Sequence, residues 1–291
     1  MNAHQHYALL RRTPRALALR RIIQEVVKPG QMVLDAGCGS GLLSVWAAQA
    51  GAIVVGVDFA DLALARALAT ENGVADRTTF LQGDLNAIGL EEHGPFDVLL
   101  AMVYLNDPRR DHGASAMVHD LGRHLRPGAV RVPDQVRYTA QALDCRSQHF
   151  ASRMADLDRG VKELEVAFGM RMDSFRSAMG HRPPKEAFPV RDDAGVVLLP
   201  DARALSEVRP WHTVDYSRPA TPWPDHLALT MNAPGSFTTV LWQQELMFRD
   251  ALIFRNGSVG WVHPAPEVAA GDTVRSRTGT EWHIDNLLLP V

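Results

Sequence analysis

Three glycines, Gly37, Gly39 and Gly41, separate two segments of different periodicity, and that break does most to constrain the fold. The residues before them, QMVLDA, form a short apolar run with the length of a buried strand. The residues after them, LLSVWAAQA, read as a helix. A glycine turn between a strand and a helix is where open α/β sheets bind nucleotides. The alternation continues around it. Helices are predicted over about residues 14–27, 42–50, 61–72 and 114–125, the first closing at KPG with Gly30 as its C-cap. IVVGVD, TTFLQGD and residues 96–103 read as strands. This order predicts a parallel sheet with helices on both faces.

The second half has a different texture. Residues from 144 to about 181 have helical periodicity, as in RMADLDRGVKELEVAF. Short alternating runs follow, among them GVVLLP, SFTTVLWQQELMF, ALIF, SVGWVHP and TEWHIDNLLLP, with RNGS and AAGD as turn signals. They predict an antiparallel sandwich or partial barrel. The expected division is residues 1–135 for the α/β domain and 136–291 for the β-domain, with RPPKEAFPVRDDAG as a mobile loop.

Composition narrows the function classes. A net charge of −3 gives no broad basic field for nucleic acid. No apolar run approaches the ~20 residues of a membrane span, and the N-terminus has no signal-peptide core, so a cytoplasmic protein is expected. Two cysteines, Cys38 and Cys145, make neither a disulfide framework nor a thiolate zinc site. Cys38 reads as a small packing residue of the turn. HQH at His4–His6 is too short for a metal site, and no metal is expected.

Asp58 ends the second strand some twenty residues past the glycines, where a carboxylate accepts hydrogen bonds from ribose hydroxyls. The turn itself reads D-x-G-x-G-x-G, with Asp35 ahead of the glycines. It differs from the G-x-G-x-x-G that faces a pyrophosphate. A carboxylate at Asp35 suits a ligand with an ammonium. Asp84, ending QGD, is placed to accept adenine amino hydrogens, with Leu85 against the ring. Leu42 and Phe59, beside the turn and Asp58, complete the expected cofactor contacts. With LRPGA after the last helix, these features resemble class I methyltransferases dependent on S-adenosyl-L-methionine (SAM). The resemblance implies a Rossmann-like SAM-binding domain.

A methyltransferase sheet followed by a β-barrel-like domain is similar to the protein arginine methyltransferases. VLDAGCGSGLLSVWAAQAGA resembles that family's first motif, LRPGAVRVPDQVRYTAQALD its passage into the barrel, and LSEVRPWHTVDYS one of its barrel strands. The resemblance implies an N-terminal helix folded over SAM, with Arg15, or Arg12, pairing with the SAM carboxylate. It also implies two glutamates that grip a guanidinium. Here those positions fall at Met102 and Asp111, and the family's Thr-His-Trp motif falls at Val259-Gly260-Trp261. Both departures weigh against a peptidyl arginine substrate.

The expected activity is therefore methyl transfer to oxygen or nitrogen of a small molecule, such as an amino acid derivative or secondary metabolite. The alternatives are a divergent arginine N-methyltransferase and a SAM-binding module without catalysis. The loop YLNDPRRDH supplies the catalytic candidates Tyr104, Asp111 and His112, since a hydroxyl or ammonium nucleophile must lose a proton to a base. His112 reads equally as a polar residue at a helix start. Asn106-Asp107-Pro108 has a faint likeness to loops of amino-group methyltransferases. His4, His6 and Tyr7 read either as a cap over the pocket or as a flexible terminus, and His263 and His283 either as facing the pocket or as ordinary surface or core residues. Trp211, Trp223, Trp242 and Trp261 read as barrel core or as an apolar wall for substrate. Residues 153–168 suggest the arm of a homodimer.

Overall fold

A computed structural model describes residues 13–104, 111–145, 148–173, 199, 201–262, 265–277 and 282–284. The first half contains α1 (Thr13–Val26), β1 (Met32–Ala36), α2 (Leu42–Gln49), β2 (Ile53–Asp58), α3 (Ala63–Glu71), β3 (Thr78–Gln82), β4 (Phe96–Ala101), α4 (His112–Asp120) and β5 (Leu125–Val132). The strands form one sheet in the order β3-β2-β1-β4-β5, and every neighbouring pair is parallel. Apolar runs in β1, β2 and β4 are buried, as strands covered on both faces must be. Small residues bring the layers close. Ala47 and Ala48 of α2 and Ala65 and Ala69 of α3 are buried. A Cβ on Gly56 of β2 would lie 2.8 Å from the Phe80 ring of β3.

Two local expectations change here. β4 stops at Ala101, two residues short of the predicted end. LRPGA opens strand β5 instead of forming a turn outside the sheet. Phe96 pairs with Leu125 and Val98 with Val130, so Arg126–Gly128 bulge out of register. Gly128, at φ 77, takes the left-handed conformation the bulge needs.

The second half contains β6 (Gln135–Cys145), α5 (Gln148–Phe168), β7 (Ala202–Ala204), β8 (Arg209–Asp215), β9 (His226–Thr230), β10 (Gly235–Ser236), β11 (Thr239–Phe248), β12 (Ala251–Trp261), β13 (Glu267–Val268), β14 (Thr273–Arg277) and β15 (Trp282–Ile284). β12, β11 and β6 lie side by side, with β7 and β8 both paired to β6. β9, β14 and β15 form a second antiparallel sheet. The chain passes from the parallel sheet to the antiparallel one between Val132 and Gln135.

The larger antiparallel sheet serves two cores. Val136, Tyr138, Val214, Tyr216, Leu246, Phe248, Ile253 and Phe254 join the core of the α/β half. Ala140, Ala142, Val240 and Trp242 join a separate core with Leu227, Leu229 and Phe237. α1 packs on both α2 and β12. Glu25 of α1 pairs with Arg249, and the Arg15 guanidinium sits 4.2 Å from the ring centroid of Phe254.

RNGS is not a turn. Arg255, Asn256, Gly257 and Ser258 all pair with β11 inside β12. The reversal between β11 and β12 falls at Arg249 and Asp250, both at positive φ. It is held by the Arg249 N–H donating to Asp134 Oδ2 and by the Arg249 guanidinium over Phe248. AAGD does turn, with Gly271 at φ 96 and Asp272 Oδ2 accepting from the Ala269 N–H. RPPKEAFPVRDDAG, Arg12, His4, His6, Tyr7, Asn106, Asp107 and His263 lie outside the described residues, as do the side chains of Trp261 and His283.

Candidate active site

The strand order reverses between β1 and β4, and ligands of open α/β sheets sit at such a switch point. The glycine turn leaves β1 there, and Met102, Val103 and Tyr104 leave β4 beside it. A Cβ on Gly37 would lie 2.7 Å from Val103 Cγ1, so the two exits touch. Gly37, Gly39 and Gly41 all have positive φ. Gly41 also abuts Ala65, where a Cβ would come within 2.8 Å. Leu42, half-buried, starts α2 directly after the turn.

Asp58 ties the turn to β2. Its Oδ2 accepts from the Gly39 N–H at 2.9 Å and its Oδ1 from the Ala60 N–H at 2.9 Å. Each oxygen keeps a lone pair for a ribose hydroxyl. Asp35 is buried and accepts from Ser44 Oγ at 2.6 Å, while its Oδ1 has no hydrogen-bond partner among the described residues. Burial, opposed by the Ser44 hydrogen bonds, pushes its carboxyl up to about 7. An unpaired carboxylate oxygen beside a glycine-rich turn has the acceptor capacity that the ammonium end of SAM calls for. Next to Asp58, Phe59 exposes 78 % of its surface, as a platform for an adenine ring would. Asp84 Oδ1 accepts from the backbone and side-chain N–H groups of Asn86, both at 2.9 Å, and Leu85 is buried in the core. Arg15 lies half-buried where α1 meets β12.

A second polar cluster is built from side chains. Asp111, at the start of α4, is fully buried. Its Oδ2 accepts from the Tyr138 hydroxyl at 3.3 Å and from Gln244 Nε2. Gln244 Oε1 accepts in turn from Asn256 Nδ2 at 3.0 Å. The sheet explains this chain of bonds. His212, Tyr138, Gln244 and Asn256 stand directly opposite one another on β8, β6, β11 and β12. They form one polar row on one face. Ser115 Oγ meets the Tyr138 hydroxyl at 3.3 Å.

Aromatic rings close over this row. Trp223 lies 4.7 Å from Tyr138, 4.3 Å from His212 and 5.4 Å from Trp211, centroid to centroid. His112 is exposed and stacks on Trp223 at 4.1 Å. Trp242 is buried in the second core and meets Trp211 edge-on. Tyr104 shares a 2.6 Å hydroxyl contact with Tyr216. Burial pushes Tyr104 well above its ordinary range and Tyr216 up to about 12, so both stay protonated at neutral pH. Burial and the His112 charge push His212 down. Met102 is partly buried against the core, and Gly260 of β12 pairs with Val240 of β11.

The structure thus draws Tyr104, Asp111 and His112 to one end of the sheet, and the glycines, Asp35, Asp58 and Phe59 to the switch point. Sequence reasoning passed over Tyr138, Gln244 and Asn256. Two adjacent glutamines inside the apolar run TVLWQQELMF were the available signal, because a buried strand admits polar side chains only with partners.

Comparison with known proteins bears on the fold and the domain family. Residues 33–128 match a family described as Methyltransferase domain. An arginine N(omega)-methyltransferase of Streptomyces achromogenes subsp. streptozoticus is 28% identical over 292 residues, covering 94% of this chain and 75% of that protein. Protein arginine N-methyltransferase PRMT10 of Oryza sativa subsp. japonica is 31% identical over 158 residues, but the match spans only 51% of this chain and 40% of that protein. Among solved structures, the Trypanosoma brucei PRMT1 enzyme-prozyme heterotetrameric complex with AdoHcy has a chain with a TM-score of 0.65. At 19% identity, that match covers 94% of this chain and 86% of its own. Arabidopsis thaliana protein arginine methyltransferase 10 aligns with a TM-score of 0.61 at 18% identity, covering 89% of this chain and 82% of its own. The chain carries a class I methyltransferase domain that takes SAM as its cofactor, and its two-part build resembles that of the protein arginine methyltransferases.

Proposed function

We propose that the protein transfers a methyl group from SAM to a guanidino nitrogen of a small arginine-type molecule. The observation that carries this reading is Asp111, a buried carboxylate that accepts from the Tyr138 hydroxyl and from Gln244 Nε2. Tyr138 and Gln244 orient it, and a buried, oriented carboxylate is the group that suits a guanidinium. The relative that matches nearly the whole chain, acceptor half included, is named for arginine itself rather than for protein arginine. That favours a guanidino acceptor over the other amines and hydroxyls the sequence allows.

Bound SAM supplies a methyl group on a sulfonium, an electrophile with a good leaving group. The protein's share of the work is alignment and exclusion of water. Asp111 holds the guanidinium and faces the nitrogen that must shed a proton as the new N–C bond forms. Met102, at the position where the resembled family has a glutamate, brings no charge to this acceptor. Trp223 and Tyr138 wall the site against solvent.

Transfer from tritiated SAM tests the proposal, with L-arginine, an arginine peptide, simple amines and phenols as acceptors. The expected product is L-arginine one methyl heavier at its guanidino group. Label on the peptide alone would replace this reading with protein arginine methylation. SAM binding with no transfer to any acceptor would leave a binding module. We further propose a homodimer with α5 as its arm. The support is the exposed Leu164, Val166, Phe168 and Met170 at the end of that helix and beyond. Sedimentation at the monomer mass would exclude it.

A further inference from the structure

The polar row ends in a β-bulge whose position bears on the acceptor. Tyr138 pairs with His212 and Thr139 with Pro210, so Trp211 is an extra residue in β8. Ordinarily two consecutive strand residues face opposite sides of a sheet. A bulge re-aims one of them. Here Trp211 and His212 flank the same rings. Their centroids lie 5.8 and 6.1 Å from Tyr138, and 5.4 and 4.3 Å from Trp223. Both rings carry a buried nitrogen, Trp211 Nε1 and His212 Nε2, that finds no hydrogen-bond partner among the described residues. His212 as a whole is only 9 % exposed. Leaving two adjacent ring nitrogens unsatisfied costs stability, and buried polar groups in native proteins are nearly always paired. A ligand that accepts from both would remove that cost.

We propose that Trp211 Nε1 and His212 Nε2 form a two-donor site for the carboxylate of the acceptor, making a free α-amino acid the substrate class. The inference rests on the guanidino reading above. Tyr138 links the two ends of such a substrate, since its hydroxyl bonds Asp111 and its ring centroid lies 5.8 Å from that of Trp211 and 6.1 Å from that of His212. Six covalent bonds separate the guanidino carbon of arginine from its carboxylate carbon, about 7 Å when extended. The Tyr138 side chain spans a similar length. An indole N–H can only donate, and an imidazole nitrogen donates when it carries its proton. Two donors suit a carboxylate best, because hydrogen bonds to an ionised acceptor are roughly twice as strong as those to a neutral carbonyl.

Calorimetry in the presence of S-adenosylhomocysteine, with L-arginine and its decarboxylated analogue agmatine, tests the site. Wild type is expected to bind L-arginine about tenfold to a hundredfold more tightly than agmatine. Trp211→Phe and His212→Phe keep a ring and lose the nitrogen. Each should weaken L-arginine binding while leaving agmatine unchanged, moving the ratio toward one. Equal binding of the two compounds by wild type overturns the carboxylate site while leaving the guanidino reading in place. A ratio that both folded variants preserve overturns it too. Binding of neither compound removes the guanidino reading itself. The wild-type comparison stands even if a variant fails to fold.

Discussion

The cofactor turn and the acceptor wall each centre on one buried aspartate, yet they are built by opposite means. Around Asp35 the walls are backbone, with three glycines at positive φ and N–H groups fixed by Asp58 and by Val57 O. Around Asp111 the walls are side chains delivered by four strands from distant parts of the sequence. Backbone geometry tolerates little change, because any Cβ at Gly37 or Gly41 collides. A wall of side chains can be rebuilt residue by residue. On the proposed reading, the first region fixes what donates the methyl group, and the second is free to choose what receives it.

That division can be broken most directly at Asp111. Asp111→Ala should lower kcat/KM for a guanidino acceptor by about a thousandfold, the scale of removing one partner from a buried charge pair. SAM affinity, read by calorimetry, should stay within about twofold. A parallel loss of SAM affinity would show that the two regions are not separable. Asp58→Ala is the reverse cut. It removes the ribose acceptor and the anchor of Gly39 and Ala60 together, so SAM affinity should fall by about a hundredfold. Unchanged affinity would take Asp58 out of the ribose role.

The smallest effect sharpens the comparison through pH. The Asp35 carboxyl, pushed up to about 7 by burial, binds its proton more tightly in the folded chain than in the unfolded one. Its contribution to stability is therefore fully present below about pH 4 and is lost as pH rises through about 7. Binding of an ammonium needs the ionised form, so SAM affinity should weaken as pH falls from 8 to 6, by at most about tenfold per unit. Asp35→Asn should flatten that slope, and an equal slope in the variant would assign the titration elsewhere.

The same contrast governs how much could be read in advance. The turn, the strand after it and Asp58 were legible because they are local. A strand, a glycine turn and a helix lie within about twenty residues, and spacing alone sets their geometry. Asp111 was singled out as a candidate from its place in a loop, and the structure shows it buried in a hydrogen-bonded cluster. Its partners were not singled out, since Gln244 and Asn256 meet it only through strand register. Asn256-Gly257 misled for a specific reason. Asn-Gly is a strong turn signal in isolation, but here Asn256 is buried and its amide is held by Gln244. The actual reversal, Arg249-Asp250, carries neither glycine nor asparagine and depends on Asp134 for its shape. LRPGA misled similarly, since a strand absorbed it as a bulge.

One sheet contributes to both interiors, and this limits how such a protein can be altered. Anyone grafting a new acceptor half onto the nucleotide half would have to carry over the stretches of β6, β8, β11 and β12 that hold Val136, Val214, Leu246 and Phe254, because those side chains plug the donor's own hydrophobic centre. A cut at residue 135 would uncork it. The exchangeable portion is the far end of those strands, beyond Ala140 and Trp242, where the packing answers only to the barrel.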